Sequence, residues 1–409
     1  MVFKCQEDSF LKEYTSTVVK CEPTNEPVVE YGKVSQFEGY QVILEDTILF
    51  PAGGGQPHDL GWLNNTEVFQ VLRKGEEALH FTKEPIEVGT PVEQKINWER
   101  RFDHMQQHSG QHLLSAILEK EHNLPTTSWW LGSDECYVEL DSVNVTDEVI
   151  KAAEDRCNQL IMDAIPVEVK ICQADDPDLN EAHTRGLPED CIDTIRIICI
   201  GTIDENMCCG THVSNLSQLQ MIKLTGMEPG KKGKTNLKFL VGNRVTKTFQ
   251  NMLEREKTVT GLLKNEPSRH EELIQKLQKN LKAANKHLQT VLLELAQHEA
   301  DKIRRIEPKP KYMIMFKKEA TPEFNRAVIK GLEGEGLFMF LVSEDPDKPN
   351  EGQIIIQGPK EHVNVLGDKI TKLLKGKGAF NNGKFQGKAG DLGAMSTCMA
   401  LIEGYFNDL

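Results

Sequence analysis

Long apolar runs are missing from this sequence. No stretch of about 18 consecutive apolar residues occurs, which is the length that a membrane-spanning helix requires. Residues 1–14 are rich in charge and lack the apolar core of a secretory signal peptide. We therefore expect neither a membrane protein nor a secreted one, and we predict a cytoplasmic location.

A disulfide framework is also missing. The ten cysteines are scattered without regular spacing, and several, such as Cys172 and Cys199, stand in apolar segments. This pattern is typical of buried free thiols in a reducing compartment. The adjacent pair Cys208-Cys209 stands apart, because it opens a Cys-x-x-x-His spacing.

An excess of basic residues is the third missing feature. The formal net charge is −14 at pH 7, which argues against a general nucleic-acid binder with a broad basic surface. One local exception exists, since residues 369–388 contain six lysines and no acidic residue. This stretch predicts either a contact with RNA or an ordinary solvated surface.

The composition is that of a globular chain with several domains. Hydrophobic residues make up 39% and charged residues 27% of the 409 positions. The predicted fold class is α+β and multidomain. The segments are a small N-terminal β-barrel over 1–95, a mixed α/β core over 96–244, a helical connector over 245–304 and a small α/β domain over 305–409.

Apolar periodicity and turn residues locate the individual elements. The second predicted helix begins after Thr146, a residue type that caps helix N-termini. Strands are predicted at 40–50, 67–72, 78–82, 166–172, 194–200, 312–316, 337–343 and 353–357, helices at 101–121, 146–164, 324–332, 362–374 and from 394, and a loop at 376–390.

The connector carries an apolar seam with alternating spacings of four and three, as in a coiled coil. Pro267 separates the seam from the preceding helix, so an intramolecular helical hairpin is the favoured interpretation. Dimerisation through the seam and a single solvated helix are the alternatives. The seam consists of Leu277, Leu281, Ala284, Leu288, Val291 and Leu295.

Two short motifs together predict a metal site. His108 and His112 are four residues apart on a predicted helix and therefore lie on one face. About a hundred residues later, Cys208 and His212 have the same spacing on a glycine-containing turn. One cysteine and three histidines suit a single tetrahedral zinc ion. His104 lies one turn before His108 and is predicted to contact the metal ligands or the substrate.

These motifs resemble those of the alanyl-tRNA editing (AlaX) family. The run from His108 to Leu114 is similar to the H-S-A-T-H-L-L of alanyl-tRNA synthetase editing domains, and Cys208–His212 to their C-G-G-T-H, with Cys209 in place of a glycine. Residues 50–57, F-P-A-G-G-G-Q-P, resemble the glycine-rich motif of the same family. The resemblance covers residues 1–245, and 376–390 more weakly resemble the synthetase's C-terminal tRNA-binding domain.

The resemblance implies a zinc-dependent hydrolase that deacylates mischarged tRNA(Ala), with Ser-tRNA(Ala) as the expected substrate. The chain resembles the long, class II form of the family, which edits in trans. Neither ATP binding nor amino-acid activation is therefore expected. Gln56, His104 and Thr127, or its neighbour Thr126, are candidates for polar groups in the aminoacyl pocket. The predicted contacts with tRNA are Lys369, Lys372, Lys377, Lys384 and Lys388.

Two other functions fit the same residues. Threonyl-tRNA synthetase editing domains share the two-arm zinc arrangement, so editing of a different tRNA is one alternative. A non-catalytic, zinc-stabilised module that binds tRNA or a protein is the other. The metal itself has two open roles, since it can activate a water molecule or hold the amino acid or ribose in place.

Overall fold

The computed structural model describes residues 2–173, 183–184, 194–318, 320–345 and 347–409. The chain divides into two compact units, Met1–Thr258 and Val259–Leu409. Both units contain helices and strands, and the described strands form three separate groups in the first unit and one sheet in the second, so the predicted mixed α+β composition is confirmed. The finer division into four segments stays a prediction.

The first unit begins with strands that pair in the order β1-β2-β5-β4-β3-β6. The first strand also pairs with the last through residues 13–17, so the pairing returns to its start. Tyr31 and Gly32, with φ of 47° and 79°, form the tight turn between the two longest strands. The elements are α1 (Lys4–Glu7), β1 (Glu13–Glu30), β2 (Lys33–Leu44), β3 (Gly61–Leu63), β4 (Thr66–Lys74), β5 (Glu77–Thr82) and β6 (Pro91–Ile96).

The strand predicted at 40–50 ends early, because β2 stops at Leu44. The apolar run continues into Ile48, Leu49 and Phe50, which are all buried. Their backbone amides bond to side chains instead of to a neighbouring strand: the Ile48 amide donates to Gln94 Oε1 at 2.9 Å. The prediction is therefore correct over 40–44, whereas over 45–50 the apolar pattern correctly indicated burial and wrongly indicated a strand.

The rest of the first unit surrounds one central helix, α2 (Trp98–His122), which is buried along almost its whole middle. The helix predicted at 101–121 is thus confirmed. So is the predicted cap of the next helix, where Thr146 Oγ1 accepts from the Val149 amide. The further elements are β7 (Thr126–Leu131), β8 (Cys136–Leu140), α3 (Asp147–Met162), β9 (Val167–Gln173), β10 (His183–Thr184), β11 (Thr194–Ile200), β12 (Asp204–Met207), β13 (Ile222–Pro229) and β14 (Thr235–Val241).

Two four-stranded sheets flank this core, in the orders β10-β12-β11-β9 and β13-β14-β8-β7. After β14, helix α4 (Asn243–Leu263) leads towards the second unit. The structure describes nine of the cysteines, all as free thiols, and eight of them are buried. In the described part of the chain, no helix is both long and apolar enough to cross a membrane.

The long helix of the second unit is α5 (His270–Arg304), which follows a break at Pro267 as predicted. The C-terminal end of α5 is buried against α6 through Ala296 and Ala300. Earlier seam residues such as Leu277 and Leu281 are more than half exposed. The hairpin and the dimer both stay predictions. The remaining elements are β15 (Tyr312–Lys317), α6 (Pro322–Gly331), β16 (Phe338–Asp345), β17 (Lys348–Gln357), α7 (Lys360–Leu373), β18 (Lys377–Asn381), β19 (Lys384–Ala389) and α8 (Met395–Asn407).

The loop predicted over 376–390 is wrong, because β18 and β19 form a hairpin there. Asn382 and Gly383 have φ of 46° and 78°, which is the backbone of a two-residue hairpin turn. The high glycine and lysine content concealed this Asn-Gly signal. The sheet order β15-β16-β17-β19-β18 makes β18 an edge strand.

A buried ion pair joins the start of α2 to the N-terminal strands. Arg101 and Asp59 are completely buried, and Arg101 Nε donates to Asp59 Oδ2 at 2.8 Å. Arg101 Nη1 also donates to the Ser9 carbonyl at 2.9 Å. The same Asp59 oxygen accepts from the Phe50 amide at 2.7 Å. This pair therefore fixes the helix to the chain on either side of the glycine-rich motif.

Removing one partner of this pair should destabilise the first unit strongly. Arg101→Met leaves Asp59 as a buried carboxylate without its cation, which typically costs about 3–5 kcal/mol of the free energy of unfolding. Urea denaturation followed by tryptophan fluorescence measures this unit, since all four tryptophans lie in it. Lys151→Met, at the exposed pair with Asp155, is the control and should leave the midpoint unchanged. Equal midpoints for both variants would contradict the assignment.

Candidate metal centre

The structure brings together the four residues that the spacing predicted. His108 and His112 lie one turn apart on α2, and Cys208 and His212 lie on the loop after β12. Their ligand atoms are all within 4.8 Å of one another, and all four residues are buried. Cys208 Sγ is 3.5 Å from His108 Nε2 and 3.4 Å from His212 Nε2. This group could hold a metal ion.

Hydrogen bonds orient two of the imidazoles so that each could act as a metal ligand. His108 Nδ1 is 2.9 Å from Gln56 Oε1, and because the amide oxygen can only accept, Nδ1 carries the proton. His212 Nδ1 is 3.0 Å from Ser109 Oγ. In both rings, Nε2 faces the Cys208 thiol. Anchoring one ring nitrogen while the other faces the ion is the usual arrangement of metal-binding histidines.

Burial keeps the free ligands neutral. It lowers the pKa of His108 to about 3, with the Arg196 charge as the second cause. Burial also lowers the pKa of His212, and the neighbouring histidines add to this. The pKa of the Cys208 thiol is raised to about 12, first by burial and then by Cys209. A bound cation would favour the Cys208 thiolate, so metal binding should release a proton.

Gln56 connects both arms of the site to the glycine-rich motif. Its Oε1 accepts from the Thr211 amide at 2.9 Å as well as from His108. Its Nε2 donates to Thr211 Oγ1 at 2.8 Å. Gln56 is only 2% exposed. It was predicted as a pocket residue, and the structure brings it into direct contact with a candidate metal ligand.

Two glycines allow the segments to approach this closely. A Cβ on Gly210 would lie 2.2 Å from His108 Cε1 and 2.8 Å from Gln56 Oε1. Gly55 has a φ of +81°, and a Cβ there would lie 2.3 Å from Trp129 Nε1. Since contacts under 3.0 Å do not occur for real Cβ atoms, any larger residue would displace these neighbours. The glycine-rich motif therefore packs against the loop over 208–212, called the metal loop below.

The adjacent cysteines have different surroundings. Within the described residues, the metal group includes Cys208 and not Cys209. Cys209 instead lies against the glycine-rich motif, with its Sγ 3.2 Å from the position of a Cβ on Gly54. The spacing of four to His212 therefore identified the thiol that the structure brings to the group.

Arg196 is a residue of the site that the sequence reasoning missed. Its Nη1 donates to the carbonyls of Cys208 and Gly210, at 3.0 and 2.6 Å. Its Nε donates to the Gln6 carbonyl at 2.9 Å, and Gln6 Nε2 in turn donates to the Cys209 carbonyl at 2.7 Å. The sequence did contain a sign of this role, because a single arginine within the apolar run 195–200 needs buried hydrogen-bond partners.

The other predicted pocket residues lie outside the four-residue group. His104 is buried, its Nε2 is 3.1 Å from the Tyr31 hydroxyl, and burial together with Arg100 lowers its pKa. Thr127 is exposed on β7, and its hydroxyl donates to Glu139 Oε1 at 2.7 Å. The hydroxyl of Thr126 donates to Ser115 Oγ at 2.9 Å. Their roles towards a substrate stay predictions.

The five predicted tRNA-binding lysines divide between two layers of the second unit. Lys377, Lys384 and Lys388 lie on the hairpin, where Lys377 pairs with Lys388. Lys384 and Lys388 alternate with the buried Phe385 and Ala389, so they face away from the layer formed by α7. Lys369 and Lys372 are on α7 itself.

Comparisons with known proteins agree with this geometry. Residues 195–238, which include Arg196, Cys208 and His212, match the family described as "Threonyl and Alanyl tRNA synthetase second additional domain". The alanyl-tRNA editing protein Aarsd1 of Rattus norvegicus is 43% identical, with 99% of this chain and 98% of that protein covered. Aarsd1 of Danio rerio is 40% identical, over 98% and 97%.

An archaeal relative shares a smaller region. The alanyl-tRNA editing protein AlaX-L of Pyrococcus horikoshii is 30% identical, with 60% of this chain and 61% of that protein covered. The vertebrate relatives, in contrast, match over nearly their entire length. Identity of 40% or more over nearly the whole length of both chains leads to one conclusion: the chain belongs to the family of alanyl-tRNA editing proteins.

Proposed function

We propose that this protein hydrolyses mischarged tRNA(Ala), and that Ser-tRNA(Ala) is its main substrate. The bond broken is the ester between the amino acid and the terminal ribose, and the products are serine and free tRNA. The observation that carries the proposal is the buried group of His108, His112, Cys208 and His212, which Gln56 joins to the glycine-rich motif. The family to which the chain belongs supports the same reaction.

Zinc is the ion that fits this group best. Zn–S and Zn–N bonds of about 2.3 and 2.1 Å separate sulfur and nitrogen by roughly 3.6 Å in an ideal tetrahedron. The two Sγ–Nε2 distances of 3.5 and 3.4 Å are close to that value. When bound, the ion would supply Lewis acidity, either polarising an oxygen of the ester or holding the amino acid or ribose.

Residues around the ligands hold them in place and exclude water. Gln56 fixes the ring orientation of His108, and Ser109 does the same for His212. Arg196 holds the loop that carries Cys208 through two of its carbonyls. These three are positioning residues, because their contacts are with the ligands and their loop.

Selectivity for serine must come from the aminoacyl pocket. Ser-tRNA(Ala) and Ala-tRNA(Ala) share the whole tRNA body, so contacts with that body bind both equally. A pocket whose polar groups pair with the serine hydroxyl leaves those groups unpaired when alanine binds, which disfavours alanine strongly. Such an enzyme can remove the synthetase's errors without consuming its correct product.

We propose that the tRNA body contacts the hairpin of the second unit. Lys377, Lys384 and Lys388 share one face of β18 and β19, and Gln353 of β17 pairs with Lys388 beside them. Helix α7 covers the opposite face. A lysine-bearing strand surface beside an exposed edge suits the phosphate backbone of RNA.

We expect one zinc ion per chain, held by the four buried ligands. His108→Ala combined with His112→Ala, and separately Cys208→Ser, should lose most of the metal because each removes an arm or its thiolate. Cys209→Ser is the matched control and should retain it, because Cys209 packs against Gly54. Elemental analysis of the purified proteins measures this. Equal zinc in the double variant and the wild type would exclude the assignment.

We also expect Ser-tRNA(Ala) to be deacylated faster than Ala-tRNA(Ala) by a factor on the order of 100 or more. Gly-tRNA(Ala) should be slower than Ser-tRNA(Ala), since glycine also lacks the hydroxyl. Single-turnover rates on the three substrates decide this. Comparable rates on serine and alanine would indicate an unselective esterase. No hydrolysis of any of the three would indicate a binding module instead.

The hairpin lysines should contribute to tRNA affinity without affecting chemistry. The triple variant Lys377→Ala, Lys384→Ala and Lys388→Ala should bind tRNA(Ala) more weakly. The slope of log affinity against log salt concentration should fall by about 2 to 3, because up to three phosphate contacts are lost. The single-turnover rate at saturating enzyme should stay unchanged.

A charge-matched triple variant on α5 controls for the lost positive charge. Lys279→Ala, Lys282→Ala and Lys286→Ala remove three exposed lysines from the same unit and should leave the affinity nearly unchanged. Lys369→Ala with Lys372→Ala tests the α7 side. If the slope of log affinity against log salt concentration is unaltered in the hairpin variant but lower in the α7 variant, the tRNA contacts α7 instead of the hairpin.

A further inference from the structure

A cleft of about 480 Å³ lies in the first unit beside the metal centre. The N-terminal half of α2 lines it through Arg100 and His104, the turn between β1 and β2 through Tyr31, and the start of α4 through Arg244 and Lys247. Neither the metal ligands nor Gln56 line it. The arrangement described for the metal centre therefore leaves this cleft without a role.

The cleft is adjacent to the metal group along one helix. His104 precedes His108 by four residues, which is about 6 Å along the helix axis. In an aminoacyl-tRNA, the ester is attached to the ribose of the last nucleotide. A substrate whose ester reaches His108 and His112 must therefore place its terminal base or phosphate within a short distance of them. The cleft lies at that distance and can accommodate the base or the phosphate.

The side chains in the cleft suit a nucleobase. Tyr31 presents a half-buried ring, with the Arg100 guanidinium carbon 5.7 Å from its centroid. Aromatic rings and arginine planes are the surfaces on which proteins stack unpaired bases. His104 is 2% exposed, and among the described residues its Nδ1 has no hydrogen-bond partner. A buried ring nitrogen in this state is suited to a polar base edge.

The charge of the cleft limits the number of phosphates. Its six charged lining residues are three basic and three acidic ones. Asp103 accepts two hydrogen bonds from Arg244, at 2.8 and 2.7 Å. The charges of these two residues therefore neutralise each other. Lys247 is exposed and has no ion pair among the residues that the structure describes. Such a cleft fits one nucleoside with a single phosphate better than a continuous backbone.

From these observations we infer that the cleft binds the terminal adenosine of the tRNA, with its base against Tyr31 and its 5′-phosphate at Lys247. The inference rests on the proposed function, because the ligand is the end of that substrate. It assigns base recognition to the first unit and contact with the tRNA body to the second. His104 then acts as a binding residue next to the metal group.

The test uses a stable analogue of the substrate end, serine joined by an amide to 3′-amino-3′-deoxyadenosine 5′-monophosphate. Calorimetry measures its binding to the zinc-loaded full-length protein. Tyr31→Ala should weaken binding about tenfold or more, since stacking is lost. Tyr31→Phe keeps the ring and should bind within about threefold of the wild type.

A second arm tests the phosphate position and does not depend on the turn. Lys247→Ala should weaken binding of the 5′-monophosphate several-fold and leave binding of the same analogue without phosphate unchanged. Lys257→Ala, further along α4 and outside the cleft, is the control and should bind both like the wild type. Zinc content is measured in every variant, and it should not change.

The outcomes separate this inference from the proposed function. If the wild type deacylates Ser-tRNA(Ala) but Tyr31→Ala and Lys247→Ala bind the analogue as the wild type does, the terminal adenosine lies elsewhere and the inference is overturned. If the wild type deacylates none of the mischarged tRNAs, the proposed function fails first. If zinc-loaded wild type deacylates but does not bind the analogue, the cleft assignment also fails.

Discussion

The carboxamide of Gln56 is the contact on which the arrangement of the site depends. It bonds to His108 on α2 and to Thr211 on the metal loop, and it belongs to the glycine-rich motif itself. Three segments that are far apart in the sequence thus meet at one buried side chain. Because its oxygen accepts from His108 Nδ1, the other ring nitrogen is left to face the thiol of Cys208. Gly210 is required at the same point, since a side chain there would occupy the space of the imidazole.

Buried polar groups outside the ligands hold this irregular region together. The Cys208 amide donates to the Arg196 carbonyl on β11, while the carbonyls of Cys208–Gly210 accept from the side chains of Arg196 and Gln6. The Arg101–Asp59 pair does the same for the chain before the glycine-rich motif. Each of these groups is fully desolvated, so its bonds cannot be replaced by water when a partner is lost. These buried hydrogen bonds therefore fix the position of the metal loop and of the chain before the glycine-rich motif.

Local patterns in the sequence predicted those structural features that are determined by residues close together in the chain. The grouping of His108, His112, Cys208 and His212, the helix that carries His108 and the cap at Thr146 all follow from spacings of three or four residues. Contacts across the fold were not predictable in this way: Arg196 shows a need for partners but does not identify them. Thr127 illustrates the same limit, since neither its strand β7 nor the bond of its hydroxyl to Glu139 on the neighbouring strand was predicted. The hairpin at Asn382 was missed because composition outweighed a two-residue turn signal.

Under the proposed function, deacylation depends on a metal ion held by His108, His112, Cys208 and His212. Removing bound metal with a chelator, titrating zinc back into the protein and measuring the single-turnover rate on Ser-tRNA(Ala) at each addition tests this dependence. The stripped protein should be inactive, and the rate should rise linearly to a plateau at one zinc ion per chain. Full activity in the stripped protein, with no change on adding zinc, would show that deacylation does not need the metal.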